Sequence, residues 1–195
     1  ENIDNVEVYT YHAFAGRFYG KTCQNDSDMR KIIDERSFRD RKIYDDVELK
    51  KHELIVLDEV QDMTPTYFKF IVTHVRDYPA KRYCIIGDVY QNIYDFNGAD
   101  SRFLSYADKL FNFNNRPFKK LHLSTSYRLT DEMSRFINRV YLRSDRIKTR
   151  KPGPKVNYLV ANTFGIDKIF PKYIAPILQK YSPEDIFVLA PSIRD

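Results

Sequence analysis

The chain has 195 residues, 43% of them apolar and 30% charged, with a formal net charge of +5. That length accommodates one large domain or two small ones around a buried core. No apolar run approaches the roughly 18 residues of a membrane-spanning helix, and the acidic start "ENIDN" does not read as a secretory signal.

The basic balance permits a polyanionic partner without requiring one. Fifteen Tyr and fourteen Phe, with no Trp, supply either core packing or rings for base stacking. The two cysteines, Cys23 and Cys84, form no CxxC pair and suit a reducing intracellular setting, cytoplasm or nucleus. Cys84, inside the apolar run "RYCIIGD", is expected to be buried. His12, His52, His74 and His122 have no zinc spacing. The sequence lacks an initiator Met and reads as a piece of something longer.

In chain order, apolar runs at 6–11, 53–59, 82–88, 120–124, 156–161 and 185–191 predict strands, several of them apolar on both faces. Helical segments are expected at 26–36, 64–76, 100–111, 130–143 and 166–180, the fourth opened by an N-cap and acidic first turn in "TDEM". Strands alternating with such helices predict an α/β fold built on a doubly wound parallel sheet. The polar stretch 111–118 is the expected boundary, dividing 1–115 from 116–195. The basic Pro/Gly segment "KTRKPGPK" (148–155) reads either as a solvated loop or as a phosphate contact.

"AGRFYGKT" (15–22) fits a relaxed phosphate-loop pattern, but Arg17, Phe18 and Tyr19 are bulky for a loop that wraps phosphates. His12-Ala13-Phe14 would instead begin a helix with Phe14 and Phe18 on one face.

The run "ELIVLDEVQDM" is more informative. A strand Leu54–Leu57 would deliver Asp58 and Glu59 to the sheet's carboxyl edge, where ligands bind in open α/β sheets. Adjacent acids there suit nucleotide hydrolysis, one holding Mg²⁺ and the other orienting the attacking water. The next strand runs into "IIGDVYQNIYDFNGAD", which offers Gln91 as a phosphate sensor and exposed rings for bases. "LSTSYRLT" places Tyr127 and Arg128 between a strand and a helix.

These segments resemble the motifs of superfamily 1 helicases of the UvrD/Rep type: "LDEVQD" is similar to DExQD, "GDVYQNIYDFNGA" to GDxxQxIYxFxGA, and "LSTSYRLT" to LxxNYRST. "VYTYHAFA" resembles the family's TFHxFA segment, and "YSPEDIFVLAPSIRD" a strand of the second motor domain. Ser126 stands where the family has Asn, and Asn97 where Arg is common. The resemblance implies a RecA-like (P-loop NTPase-type) doubly wound sheet, with 1–115 part of the first motor domain and 116–195 the beginning of the second.

It further implies ATP and Mg²⁺ as cofactors, Asp58 as the Mg²⁺ carboxylate and Glu59 as catalytic base. Gln91 would sense the γ-phosphate, and Asp88 would lie with the nucleotide-binding residues. Tyr127 would stack on adenine, with Arg128 reaching the γ-phosphate. Thr10, His12, Tyr94 and Phe96 would contact single-stranded or partly duplex DNA. The implied protein is an ATP-dependent DNA helicase or translocase moving 3′→5′, with the rest of the helicase chain as partner, no membrane, and a monomeric or weakly self-associating state. No later motor motifs follow Asp195, so the 195 residues alone are expected to be inactive. The alternatives are a non-catalytic nucleic-acid- or protein-binding module derived from a helicase, or a small NTPase using "AGRFYGKT".

Overall fold

The computed structural model describes residues 5–38, 52–160, 166–187 and 189. The chain divides into two compact units, Glu1–Lys120 and Leu121–Asp195.

The first unit is mixed α/β. Helix α1 (Tyr11–Tyr19) starts where the Thr10 hydroxyl accepts from the Ala13 amide at 3.2 Å, and ends on Gly20 in the left-handed region (φ 61°). Helix α2 (Asp26–Phe38) follows. Strand β1 (Leu54–Leu57) and strand β2 (Arg82–Ile85) pair in parallel, Leu54 opposite Arg82 and Leu57 opposite Ile85. The crossover between them carries α3 (Pro65–Asp77), whose start is fixed twice. Pro65 lacks the amide that a first turn leaves unpaired, and Thr64 Oγ1 accepts from the Tyr67 amide at 3.3 Å. Short helices α4 (Arg102–Ser105) and α5 (Ala107–Leu110) complete the unit, with a break at Tyr106 inside the expected 100–111 helix.

One face of the sheet, with Ile55 and Leu57, packs on a core built from Ala15, Met29, Phe70, Ile71 and Phe111. Each large apolar side chain so buried contributes about 1.5–3 kcal/mol. Arg36 on α2 and Asp77 on α3 form an ion pair at 2.9 Å, the carboxylate side chain only 2% exposed. His74 is fully buried among Phe14, Phe18, Tyr19 and Tyr78.

Several expectations are corrected. The sheet has two strands among the described residues, and Leu54 and Val56 are half exposed, so β1 is covered on one face only. Cys84 shares that open face and is exposed, whereas Cys23 is buried. Residues 6–10 form no strand, and Tyr11 already belongs to α1. Segments 120–124 and 156–160 have no strand either, and 185–187 holds only the end of a 3₁₀ turn. An apolar run becomes a strand only when a neighbouring segment pairs with it along its length, and among the described residues none of these runs has such a partner strand. The remaining positions of the last two expected strands, 161, 188, 190 and 191, lie outside the described residues.

In the second unit, α6 (Asp131–Phe136) opens as its sequence announces, Thr130 Oγ1 accepting from the Met133 amide at 3.4 Å. It continues as a π-helical stretch, Ile137–Leu142, and stops at Arg143 in the left-handed region (φ 49°). Helices α7 (Ile166–Ile169) and α8 (Ala175–Lys180) flank a second π-helical stretch, Phe170–Ile174. Pro171 and Pro176 each remove an amide donor there, which accounts for the irregular ladder. A single parallel bridge, Thr125 to Lys148, is the unit's extended pairing among the described residues.

Candidate functional site

The carboxyl ends of β1 and β2 are joined by backbone bonds beyond the strands themselves: Leu57 accepts from the Ile86 amide at 2.8 Å, and Ile86 accepts from the Val60 amide at 3.0 Å. Between those bonds the chain turns sharply outward. Glu59 adopts a left-handed conformation (φ 52°), and the 3₁₀ turn Val60–Asp62 follows. Asp58 and Glu59 are consequently exposed at the strand end, with Asp58 Oδ1 accepting from the Glu59 amide at 2.9 Å. A left-handed non-glycine residue costs free energy, and its presence at a pair of acids is the local sign of a specialised turn.

Gln61 holds this turn. It is 1% exposed, and its carboxamide reaches both strand ends. Nε2 donates to Glu59 Oε2 at 2.6 Å and to Asp62 Oδ2 at 3.4 Å, while Oε1 accepts from the Asp88 amide at 3.0 Å. Asp88 in turn accepts from the Tyr90 amide at 3.1 Å and from Gln91 Nε2 at 3.0 Å. A continuous chain of hydrogen bonds therefore runs Glu59–Gln61–Asp88–Gln91. Gly87 makes room for it, since a Cβ there would lie 2.5 Å from Gln61 Oε1.

Charge follows the same geometry. Burial first, then the neighbouring Glu59 carboxylate, push the Asp62 carboxyl above its ordinary range, against the Gln61 hydrogen bond. Its Oδ1 is buried without a hydrogen-bond partner among the described residues. Burial, Tyr67 and Asp58 push the Tyr11 phenol up to about 12, so α1 also feels the acidic strand end. Tyr11 and Tyr67 stack at 4.8 Å. A pocket of about 390 Å³ lies alongside, lined by Asp26, Asp62, Tyr67, Tyr94, Asn97 and others.

The expected nucleic-acid residues divide into two kinds. Tyr94 and Phe96 project from the turns after β2, 45% and 80% exposed, with ring centroids 6.1 Å apart. Thr10 and His12 make contacts within the unit: Thr10 caps α1, and half-buried His12 contacts Asp26 on α2 at 3.0 Å through Nε2. Tyr127 and Arg128 belong to the second unit and are both exposed.

"AGRFYGKT" is not arranged as a phosphate cradle. Ala15–Tyr19 lie within α1, where amides serve the helix ladder, Gly20 caps it, and the Lys21 ammonium pairs with Glu35.

The sequence singles out Asp58, Glu59 and Gln91 as candidates and leaves Gln61 without a role. The signal was available, since Gln follows the acid pair in "LDEVQD", but its partner Asp88 lies 27 residues away.

The family model of the UvrD/REP helicase N-terminal domain matches residues 31–112, which contain both strand ends, the Gln61 turn and the exposed rings. Comparison with curated proteins gives no match. Residues 31–112, where an acid pair, a buried glutamine and a GD turn meet at one sheet edge, are thus similar to the UvrD/REP helicase N-terminal domain.

Proposed function

We propose that the chain contributes the hydrolytic strand ends of an ATP-dependent motor acting on single-stranded DNA. In this reading the two-stranded sheet is part of a RecA-like doubly wound first motor domain, and the second unit begins the other. The observation that carries it is the hydrogen-bonded chain Glu59–Gln61–Asp88–Gln91. It ties a candidate catalytic carboxylate to a candidate phosphate sensor through buried, directional bonds, the kind of support a preorganised site requires.

Asp58 fits Mg²⁺, because that ion is commonly held by one or two carboxylates with substrate phosphates and water completing its shell. Among the described residues no group of three His, Cys, Asp or Glu side chains forms a protein-only metal cage. Bound there, the ion would supply charge neutralisation at the phosphates. Glu59, held by Gln61, accepts the proton of the attacking water and aims it in line with the leaving group. Gln91, linked to the same chain, reports the presence of the γ-phosphate to the adjoining turn with Tyr94 and Phe96, whose rings stack on bases. From the second unit, Tyr127 supplies an adenine-stacking ring and Arg128 a cation for the transferring phosphoryl group.

The test is strand-stimulated ATP hydrolysis by the protein carrying this chain, compared with E59Q. The amide cannot accept the proton, so kcat is expected to fall about 10²–10⁴-fold with nucleotide binding kept. An E59Q protein hydrolysing at the unsubstituted rate would refute the assignment.

A further inference from the structure

The second unit carries a feature that the hydrolytic reading does not use. Between Arg143 and Lys155 lie Arg143, Arg146, Lys148, Arg150, Lys151 and Lys155 against one acid, Asp145. A loop of that composition would ordinarily be solvated and loose. This one is fastened along its length. The Asn138 carboxamide brackets Ile147, donating to its carbonyl at 2.9 Å and accepting from its amide at 3.0 Å. Lys148 exchanges backbone bonds with Ser124 and Ser126, both 2.8 Å, and the Lys151 carbonyl accepts from the Asp131 amide at 2.8 Å.

Side chains complete the fastening. The Thr149 hydroxyl turns inward to Asp131 and Ser134, and Gly153 lies so close to Thr130 that a Cβ would come within 2.5 Å of it. With Thr149 facing in, its neighbours Lys148 and Arg150 both face out and are exposed. In an extended segment they stand about 6.6 Å apart, two residues of rise. Among the described residues, Arg143, Lys148, Arg150, Lys151 and Lys155 make no ion pair.

We propose that this fastened basic ridge is a track for the phosphate backbone of a single-stranded nucleic acid. Its cations are held in register by main-chain and buried side-chain bonds, so little ordering entropy is lost when phosphates bind. Its outward positions 148, 150 and 151 are all cationic, with no apolar residue to enter a lipid surface. The ridge is separate from the Tyr127–Arg128 turn, although bonds at Ser126–Lys148 and Asp131–Lys151 bracket that turn on either side. The inference does not depend on ATP hydrolysis.

The experiment is fluorescence anisotropy of labelled oligothymidylate with the full 195-residue chain, without nucleotide, across a salt series. The K148Q/R150Q/K151Q triple variant is expected to bind at least about tenfold more weakly, and to flatten the slope of log affinity against log salt by roughly 2, about 0.7 per lost cation. Each single variant should flatten it by about 0.7, which preserves the test if the triple variant fails to fold. F96A serves as contrast, expected to lower affinity with the slope unchanged, so a failed ridge and a failed base-stacking surface give different results. An unchanged slope in all ridge variants would overturn the proposal. So would a polyglutamate peptide competing as well as the oligonucleotide, since that would make the ridge an acidic-protein surface.

Discussion

His74 gives the sharpest quantitative prediction about the first unit. Its imidazole is fully buried among aromatic rings, its Nε2 is 3.3 Å from His52, and its Nδ1 has no hydrogen-bond partner among the described residues. Burial first, then His52, push its pKa from 6.5 down to about 3, with Asp77 opposing. Burial lowers His52 in the same direction, with Glu7 opposing. A depressed histidine pKa means that the unfolded chain binds more protons than the folded one between pH 3 and 6.5. Stability therefore rises with pH in that window and is lost as pH falls from about 6.5.

At pH 5, about 1.5 units below the unfolded value, the loss from His74 alone amounts to about 2 kcal/mol. The assay is urea unfolding followed by circular dichroism from pH 7.5 to 4.5, on the unsubstituted chain and on H74F. Phe preserves an aromatic ring in an aromatic nest and removes the titration. The carboxylates titrate in both proteins, so the difference between the two curves reports His74 together with its coupling to His52. It should grow by about 2 kcal/mol toward pH 5 in favour of the variant. Parallel curves would refute the reasoning.

Other outcomes follow from single contacts. Removing Arg36 leaves the nearly inaccessible Asp77 carboxylate with only the more exposed Arg76 guanidinium at 3.3 Å and the Tyr19 hydroxyl, and R36A should cost about 1.5–3 kcal/mol in urea unfolding, the worth of a hydrogen bond to a charged group. G87A places a methyl against Gln61 Oε1 and the Leu104 side chain, so it should displace the glutamine and slow hydrolysis, with destabilisation visible as a lower melting temperature. F96A should weaken oligonucleotide binding by about 1–3 kcal/mol, the worth of one stacked base, measured by anisotropy.

Local signals were legible where local chemistry decides the outcome. Thr64-Pro65 and Thr130-Asp131-Glu132 announce helix starts because a hydroxyl cap and a missing amide act within one turn. Leu54–Leu57 and Arg82–Ile85 read as strands and pair because the chain through α3 returns the second beside the first. Leu121 and Leu123, by contrast, alternate with polar residues in an expected strand yet are 74% and 96% exposed, with no partner strand among the described residues. Pairing is a tertiary property, and periodicity does not contain it.

The site divides in the same way. Asp58 and Glu59 could be singled out as candidates because they follow β1 directly, and Gln91 because it closes the turn beyond β2. The roles of Gln61 and Gly87 could not, since they arise only when two strand ends meet across the sheet. Thr10 and His12 are motif positions whose helix cap and contact with Asp26 the sequence likewise did not announce.

The proposed site depends most directly on whether the Gln61 bridge positions Glu59 for hydrolysis. The decisive measurement is single-turnover ATP hydrolysis by Q61A, with nucleotide affinity measured on the same preparation. The bridge predicts at least about a tenfold loss of rate, the scale of one lost positioning bond of 1–2 kcal/mol, with affinity unchanged. A Q61A protein that hydrolyses at the unsubstituted rate would contradict it.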